Sequence, residues 1–187
     1  DGGIQLCFSH FPSPVIAFTL DNWPKALNKN SMSQSINRDG LRKNFWRETD
    51  MTDMTKSEWE ALCDGCGKCC LLKLEDENTL QIRYTNISCR LFDDVTCSCG
   101  SYALRKQMVA GCVVLTPENI DRNAHWMPSS CAYRLLHEGG DLPDWHPLQT
   151  DNANSTKTSG NSVSGHTIPE YDIEEEDFED YTTERFA

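Results

Sequence analysis

Residues 1–31 carry no clear alternation of apolar and polar positions, and the pattern changes at Phe45. Thr55-Lys56-Ser57-Glu58 matches a capping box, in which Thr55 takes the N-cap and Glu58 returns to its backbone N–H. A short helix from Lys56 to about Leu62 follows, presenting Trp59 and Leu62 and delivering the chain to Cys63. Trp46 and Trp59 read as packing residues, in a core or a lid. Further on, Leu71-Leu72-Lys73-Leu74 and Thr79-Leu80-Gln81-Ile82-Arg83-Tyr84 flank the polar run 75–78. Leu80, Ile82 and Tyr84 alternate with polar residues, as a half-buried strand requires. The two runs predict a hairpin that returns Cys89 toward Cys63–Cys70.

The remaining pattern is short helices and turns. Ser101 is placed to cap a helix through Tyr102, Leu104 and Arg105 to Met108, ended by Gly111 before Cys112. Thr116-Pro117-Glu118 has the form of a helix start, with Thr at N-cap, Pro at N1 and a carboxylate in the first turn. Another helix begins at Ser129 or Ser130, carries Cys131, Tyr133 and Leu135, and stops at Gly139-Gly140. Leu142 to Leu148, with Pro143 and Pro147, reads as a rigid extended segment that packs back on the domain. Beyond Thr150 the composition turns to Asn, Ser, Thr and Gly, then to an acidic run from Glu170 to Asp180 with Tyr171, Ile173 and Phe178 interspersed. Such composition predicts a flexible, solvated tail. The expected organisation is a flexible extension over 1–44, a domain over 45–150 and a flexible acidic tail over 151–187. Within 1–44, Met32 opens a polar segment that has the look of a start, so 1–31 reads as upstream translation or a flexible extension. The expected fold class is α+β: a small irregular domain of short helices and a β-hairpin, stapled by metal.

Charge narrows the partners. A formal net charge of −12 opposes binding to nucleic-acid phosphates. No run approaches the ~18 apolar residues of a membrane span. Ile4–Leu20 is interrupted by Pro12 and Pro14 and lacks a basic leader, so it does not read as a signal peptide. A cytoplasmic protein is the expectation.

Cysteine changes the picture most. Of ten cysteines, Cys63, Cys66, Cys69 and Cys70 fall within eight residues, and Cys89, Cys97, Cys99, Cys112 and Cys131 follow; only Cys7 stands apart. A disulfide framework needs an oxidising compartment and favours spread-out cysteines, so a metal site fits better. Thiolates favour zinc, Cu(I) or iron–sulfur clusters. Cys63, Cys66 and Cys69 have the C-x2-C-x2-C spacing of bacterial ferredoxins, but Cys70 follows at once rather than three residues later. The motif therefore points to metal without choosing zinc or iron. Gly65 and Gly67 interrupt any helix here and permit positive φ, which lets amides turn toward sulfur in a tight knuckle. Adjacent Cys69 and Cys70 point to different sides.

The order Cys63-x2-Cys66-x2-Cys69-Cys70, then Cys89, Cys99-x2-Tyr102-x2-Arg105, Cys112 and Cys131, resembles the CxxCxxCC (YkgJ-type) cysteine-cluster family, to which zinc or iron chelation is ascribed. The stretch Glu58-Trp59-Glu60-x-Leu62-Cys63-Asp64-Gly65-Cys66-Gly67-Lys68-Cys69-Cys70 is similar to its YcgN-type bacterial branch. Thr85-Asn86, Cys89-Arg90, Leu115-Thr116, Cys131-Ala132-Tyr133-Arg134 and Trp145-His146-Pro147-Leu148 extend the likeness, which covers about Phe45 to His166. The resemblance implies a metal-chelating domain with no established activity, and it singles out Cys63, Cys66, Cys69, Cys70, Cys89, Cys99, Cys112 and Cys131. Eight thiolates suit two four-ligand sites or one cluster with supporting thiols. Cys97 is the odd member: a spare ligand, a redox-sensitive thiol or a small buried side chain.

His125, His137 and His146 read as surface or packing residues, given so many thiols. Arg90, Arg105 and Arg134 either offset thiolate charge or make ordinary ion pairs. No Ser/His/Asp pattern, phosphate loop or dinucleotide motif names a reaction, and Asp64 and Lys68 read as structural. Three functions compete: a structural or chelating metal module, an iron–sulfur redox protein or enzyme subunit, and an adaptor whose acidic tail recruits a basic partner.

Overall fold

The structure, a computed structural model, describes residues 4–6 and 36–186. It is a small α+β fold of short helices around small sheets. The helices are α1 (Phe45–Glu48), α2 (Lys56–Ala61), α3 (Arg105–Met108), α4 (Ile120–Asn123), α5 (Ala132–His137), α6 (Pro147–Thr150) and α7 (Ser155–Thr158). Strands β1 (Ile4–Leu6), β2 (Leu71–Asp76), β3 (Ile82–Ser88) and β6 (Ile168–Pro169) form one sheet, while β4 (Phe92–Asp93) pairs with β5 (Ser98–Cys99). Apart from β1, the N-terminal segment up to residue 35 lies outside the described residues, Cys7 included.

Helix α2 forms where its capping box predicts, with both halves present: Thr55 Oγ1 accepts from the Glu58 amide and Glu58 accepts from the Thr55 amide. The same carboxylate takes two bonds from the Arg42 guanidinium, at 2.6 and 2.7 Å. One face of the helix enters the largest core cluster, where Phe45, Trp46, Trp59 and Leu62 meet Ile120, Met127, Tyr133 and Leu142. Both tryptophans are core residues. Trp59 and Tyr133 pack with ring centroids 4.8 Å apart, and the Tyr133 hydroxyl donates to the Trp59 carbonyl. That contact ties α5 to the helix that delivers Cys63.

The predicted hairpin is present as antiparallel β2 and β3, but its strands are longer and one residue is misassigned. Leu80 is 67% exposed and left-handed at φ 57°. Asp76 explains this: its carboxylate accepts from the amides of Asn78 and Thr79, and its carbonyl from Leu80, so the turn runs one residue further than alternation suggests. Strand β2 is buried on both faces. Leu71 and Tyr84 pack with Val163 and Phe186 in one cluster, and Leu72, Leu74 and Ile87 with Phe178 in another.

The C-terminal segment departs from expectation. Where composition predicts a solvated tail, α7, β6 and a 3-10 stretch Glu175–Tyr181 pack against the domain. Strand β6 lies parallel to β3, the Thr183 amide donates to the Tyr84 carbonyl, and Val163, Phe178 and Phe186 are buried. The acidic side chains of Glu174–Asp177, Glu179 and Asp180 stay in water, and composition registers those rather than the sparse apolar positions between them.

Smaller corrections concern helix starts. Asn119, not Thr116, precedes α4, and its side-chain oxygen accepts from the Thr116 amide in a turn of its own. The Tyr102–Met108 helix splits into a 3-10 turn and α3, without a side-chain cap from Ser101. Helix α5 begins after Cys131 and ends where the glycines predict, with Gly139 at φ 80°. Pro147 opens α6, and Leu142 and His146 pack inward as expected.

Candidate metal centre

Helix α2 ends at Ala61 and the chain enters the knuckle Cys63–Cys70. Gly65 and Gly67 both take positive φ, 74° and 81°, and a 3-10 turn over Lys68–Cys70 leads directly into β2. Gly67 has a second reason to be glycine: a Cβ there would lie 2.6 Å from the Phe92 ring and 2.7 Å from Val163. The Gly65 amide favours ionised sulfur at Cys63, as the Leu91 amide does at Cys89 and the Arg134 and Tyr133 amides do at Cys131. At Cys63 this is the arrangement the glycine pattern predicts; the amides at Cys89 and Cys131 come from outside the knuckle.

The carbonyls of the knuckle and of the residues that flank it are held by side chains and amides, most of them distant in sequence. The buried His146 ring bonds the Leu62 carbonyl through Nε2 at 2.9 Å, and its Nδ1 accepts from the Leu148 amide, which fixes the Nε2–H tautomer. The Arg38 guanidinium donates to the Cys63 carbonyl, Thr156 Oγ1 to that of Asp64 and the Val163 amide to that of Cys66. Lys73 takes three more. Its buried Nζ donates to the carbonyls of Lys68, Cys69 and Leu71 at 3.2, 3.3 and 2.9 Å, and it sits between the rings of Tyr84 and Trp126, 5.1 and 5.0 Å from their centroids. Finally the Cys89 amide closes on the Cys70 carbonyl at 2.9 Å, which brings the end of β3 to the knuckle.

Arg38, Lys73, Thr156 and Val163 escaped the sequence reading. Lys73 carried a signal, a charged side chain inside the apolar run Leu71–Leu74; Thr156 and Val163 carried none, because the bonds they make depend on how a distant polar segment folds.

Removal from water pushes the thiols of Cys63, Cys66, Cys112 and Cys131 up, Cys131 to about 12, and that of Cys89 to about 11. Cys69 behaves oppositely. A hydrogen bond from the Cys70 thiol, then the Lys73 ammonium, favours its thiolate, and Cys70 as donor is driven up. The thiolate charges also act on one another unevenly. Cys63 feels Cys69 and Cys131, and Cys66 feels all three. Cys70 feels Cys69 before Cys89, Cys89 feels Cys99 and Cys112, and Cys112 feels Cys99 before Cys69.

Cys97 stands outside this pattern. It is left-handed at φ 51°, packs beside Leu71 and Tyr84, and sets its sulfur 3.1 Å from the Ser162 hydroxyl. The other named residues have ordinary partners. Arg90 pairs with Glu170, and Arg134 with Glu138 and the Met127 carbonyl. Arg105 bonds the Tyr102 carbonyl and lies over that ring, although its charge also reaches Cys112. His137 faces Asp121 at 3.6 Å, His125 is exposed and His146 holds backbone. Asp64 accepts from the Cys66 amide, and Lys68 Nζ contacts Ser130 Oγ at 3.3 Å.

All nine cysteines among the described residues are free thiols. Also among the described residues, no three Cys, His, Asp or Glu side chains converge closely enough to hold an ion as they stand. The donor set nonetheless fits a thiophilic metal. The groups gathered here are thiols, Asp64 is engaged with backbone, and the cations Arg38 and Lys73 adjoin them. Each cysteine has a single side-chain torsion with three staggered wells, so its sulfur position is adjustable by rotation.

Fold and site together define a cysteine-knuckle α+β domain with thiols presented from a loop, a sheet and a helix start. Residues 62–132 match a family model described as "CxxCxxCC: Putative zinc- or iron-chelating domain". The chain is 55% identical over 119 residues to a UPF0260 protein of Parvibaculum lavamentivorans, covering 64% of this chain and 77% of that one. With a UPF0260 protein of Cellvibrio japonicus it shares 48% over 137 residues, 73% of this chain and 92% of the other. A UPF0260 protein of Caulobacter vibrioides is 52% identical over 122 residues, 65% and 75% of the two chains. The chain belongs to the UPF0260 family. No solved structure matches it. The matched span 62–132 holds every knuckle and downstream cysteine, whereas Arg38, His146, Thr156 and Val163, which hold the knuckle's carbonyls, lie outside it.

Proposed function

We propose that this protein is a thiolate metal-chelating module in which Cys63, Cys66, Cys69, Cys70, Cys89, Cys99, Cys112 and Cys131 hold zinc or iron. The observation that carries this is the knuckle itself. Its carbonyls and those that flank it are bonded to Arg38, Lys73, His146, Thr156 and Val163, while amides at Gly65, Leu91, Tyr133 and Arg134 favour ionised sulfur. These amides offset part of the desolvation that keeps the thiols protonated in the free chain, and leave the rest to bound metal. Bound metal supplies the charge that makes eight neighbouring thiolates tolerable, and its binding energy adds to folding.

Membership of the YcgN-type branch and residence in a reducing cytoplasm are part of the same proposal, supported by the motif order and by the free thiols. Among the described residues no helix is long and apolar enough to cross a membrane. Anaerobic purification with elemental analysis and a visible spectrum tests the reading. Stoichiometric zinc in colourless protein, or iron with sulfide in coloured protein, supports it and selects the metal. Reduced protein with neither metal sinks it.

A further inference from the structure

We infer that an open cleft at the outer edge of β3, walled by Asp180 and Arg185, binds a free α-amino acid by both of its charged ends. No cysteine lines this cleft, and nothing in it calls on metal.

The cleft arises from the way the C-terminal segment meets the sheet. After Asn86, Ile87 and Ser88 pair with Ile168 and Pro169 of the parallel strand β6. Before Asn86, Thr85 bridges Thr182 in the antiparallel sense, and the Thr183 amide donates to the Tyr84 carbonyl at 2.7 Å. One edge of β3 is thus covered by two separate stretches of chain, which reach it on either side of Asn86 and in opposite directions. The residues before β6 cannot continue along that edge, because Thr182 already occupies it. A cleft of about 390 Å³ opens there, with Asn86, His166, Asp180, Arg185 and Phe186 in its lining. Small-molecule sites run from about 300 to 1,000 Å³.

Its polar groups are not spent on one another. Arg185 Nη2 lies 2.8 Å from His166 Nε2, and because a guanidinium keeps its protons, the imidazole nitrogen accepts. A neutral acceptor anchors the guanidinium without cancelling its charge. Among the described residues, no carboxylate stands within ion-pair distance of Arg185. The Asp180 side chain shares the cleft, yet among the described residues it has neither an ion pair nor a hydrogen bond. The Asn86 amide is equally unengaged, and its Oδ1 is buried with no partner. A half-turn about the terminal torsion presents either its oxygen or its NH2 to the cleft.

A cation alone would suit any small anion, and a carboxylate alone any amine. Asp180 and Arg185 line one cleft without reaching each other, which leaves room for a ligand that carries both opposite charges. The Arg185 fork suits the ligand carboxylate, Asp180 takes the ammonium, and the Asn86 amide adds a third bond. Phe186, packed with Tyr84 and Val163, supplies an apolar wall for the ligand's side chain.

The test titrates the twenty standard L-amino acids, one at a time, into the full chain and follows the Asn86 side-chain amide and the His166 ring by NMR. At least one should shift both saturably. Converting that ligand to its methyl ester or to its N-acetyl derivative should each weaken binding about tenfold or more, the worth of one charge-assisted bond. Arg185→Gln and Asp180→Asn should weaken the parent amino acid similarly. Both side chains are exposed, so the fold should survive, and circular dichroism checks it. The pairing has its own signature: esterification should cost Arg185→Gln little further, and N-acetylation should cost Asp180→Asn little further. Sodium acetate should bind at least tenfold more weakly than the amino acid. Acetate binding as tightly would make the cleft a site for any small anion and overturn the assignment. So would the absence of a saturable shift with all twenty, or full affinity in both natively folded variants.

Discussion

Gly65 and Gly67 show at the residue scale how two like conformations carry different constraints. Gly65→Ala meets nothing within 4 Å, so it should cost only the left-handed backbone strain, about 1 kcal/mol. Gly67→Ala drives a methyl into Phe92 and Val163, and an additional 1–3 kcal/mol or so is expected from overpacking. Urea denaturation of the two variants should rank them in that order; equal losses would mean the knuckle yields freely. Glu58 provides a pH signature. The Arg42 guanidinium first, then the Thr55 bonds, hold its carboxyl down to about 2 from an ordinary 4.5. A depressed carboxylate stabilises the fold above the unfolded value, and that contribution is lost as pH falls from about 4.5 through about 2. Glu58→Gln should therefore flatten the acid limb of stability against pH in that window, measured by thermal melts.

Among the elements, the segment after Thr150 matters more than its composition suggests. Burial of Val163, Phe178 and Phe186 contributes about 5–9 kcal/mol in all, at 1.5–3 kcal/mol per large apolar side chain. That rivals the whole stability of a small domain, about 5–15 kcal/mol. A chain ending at Thr150 also loses the Thr156 and Val163 bonds to the knuckle. It should lack a cooperative melt and expose its thiols to a disulfide reagent, whereas a merely solvated tail could be removed without either effect. Alternation and capping made α2 and the β2–β3 hairpin readable because their determinants are local: Thr55 and Glu58 are three residues apart, and Leu71–Leu74 faces Ile82–Ser88 across one turn. The C-terminal elements were not readable for the opposite reason. Strand β6 has no periodicity in two residues, and it exists because β3 offers it an edge.

For the whole molecule, the governing quantity is charge within the thiol region. Most of these thiols are raised by loss of water, so metal uptake must expel protons and should weaken steeply as pH falls. Zinc affinity measured across mildly acid to mildly alkaline pH should rise with pH; a flat profile would mean the bound sulfurs are already ionised in the free protein. Removing metal with a chelator under reducing conditions should lower the melting temperature markedly, since structural metal energy is folding energy. Retention of native stability and circular dichroism in the reduced, stripped protein would show that the carbonyl ties and cores suffice alone.

What the sequence by itself determined is the donor chemistry. Cysteine identity and spacing, the two glycines of the knuckle and the capping box that leads into it are properties of neighbouring residues. They place soft ligands in a turn whatever surrounds it. Tertiary structure alone decided which thiols share a neighbourhood and which donors hold the backbone oxygens around them, because Cys131, Lys73, His146 and Val163 reach the knuckle through packing of separate elements. It also decided that an acidic stretch lies down on the sheet, since a few buried apolar side chains outweigh the many charged ones that remain in water.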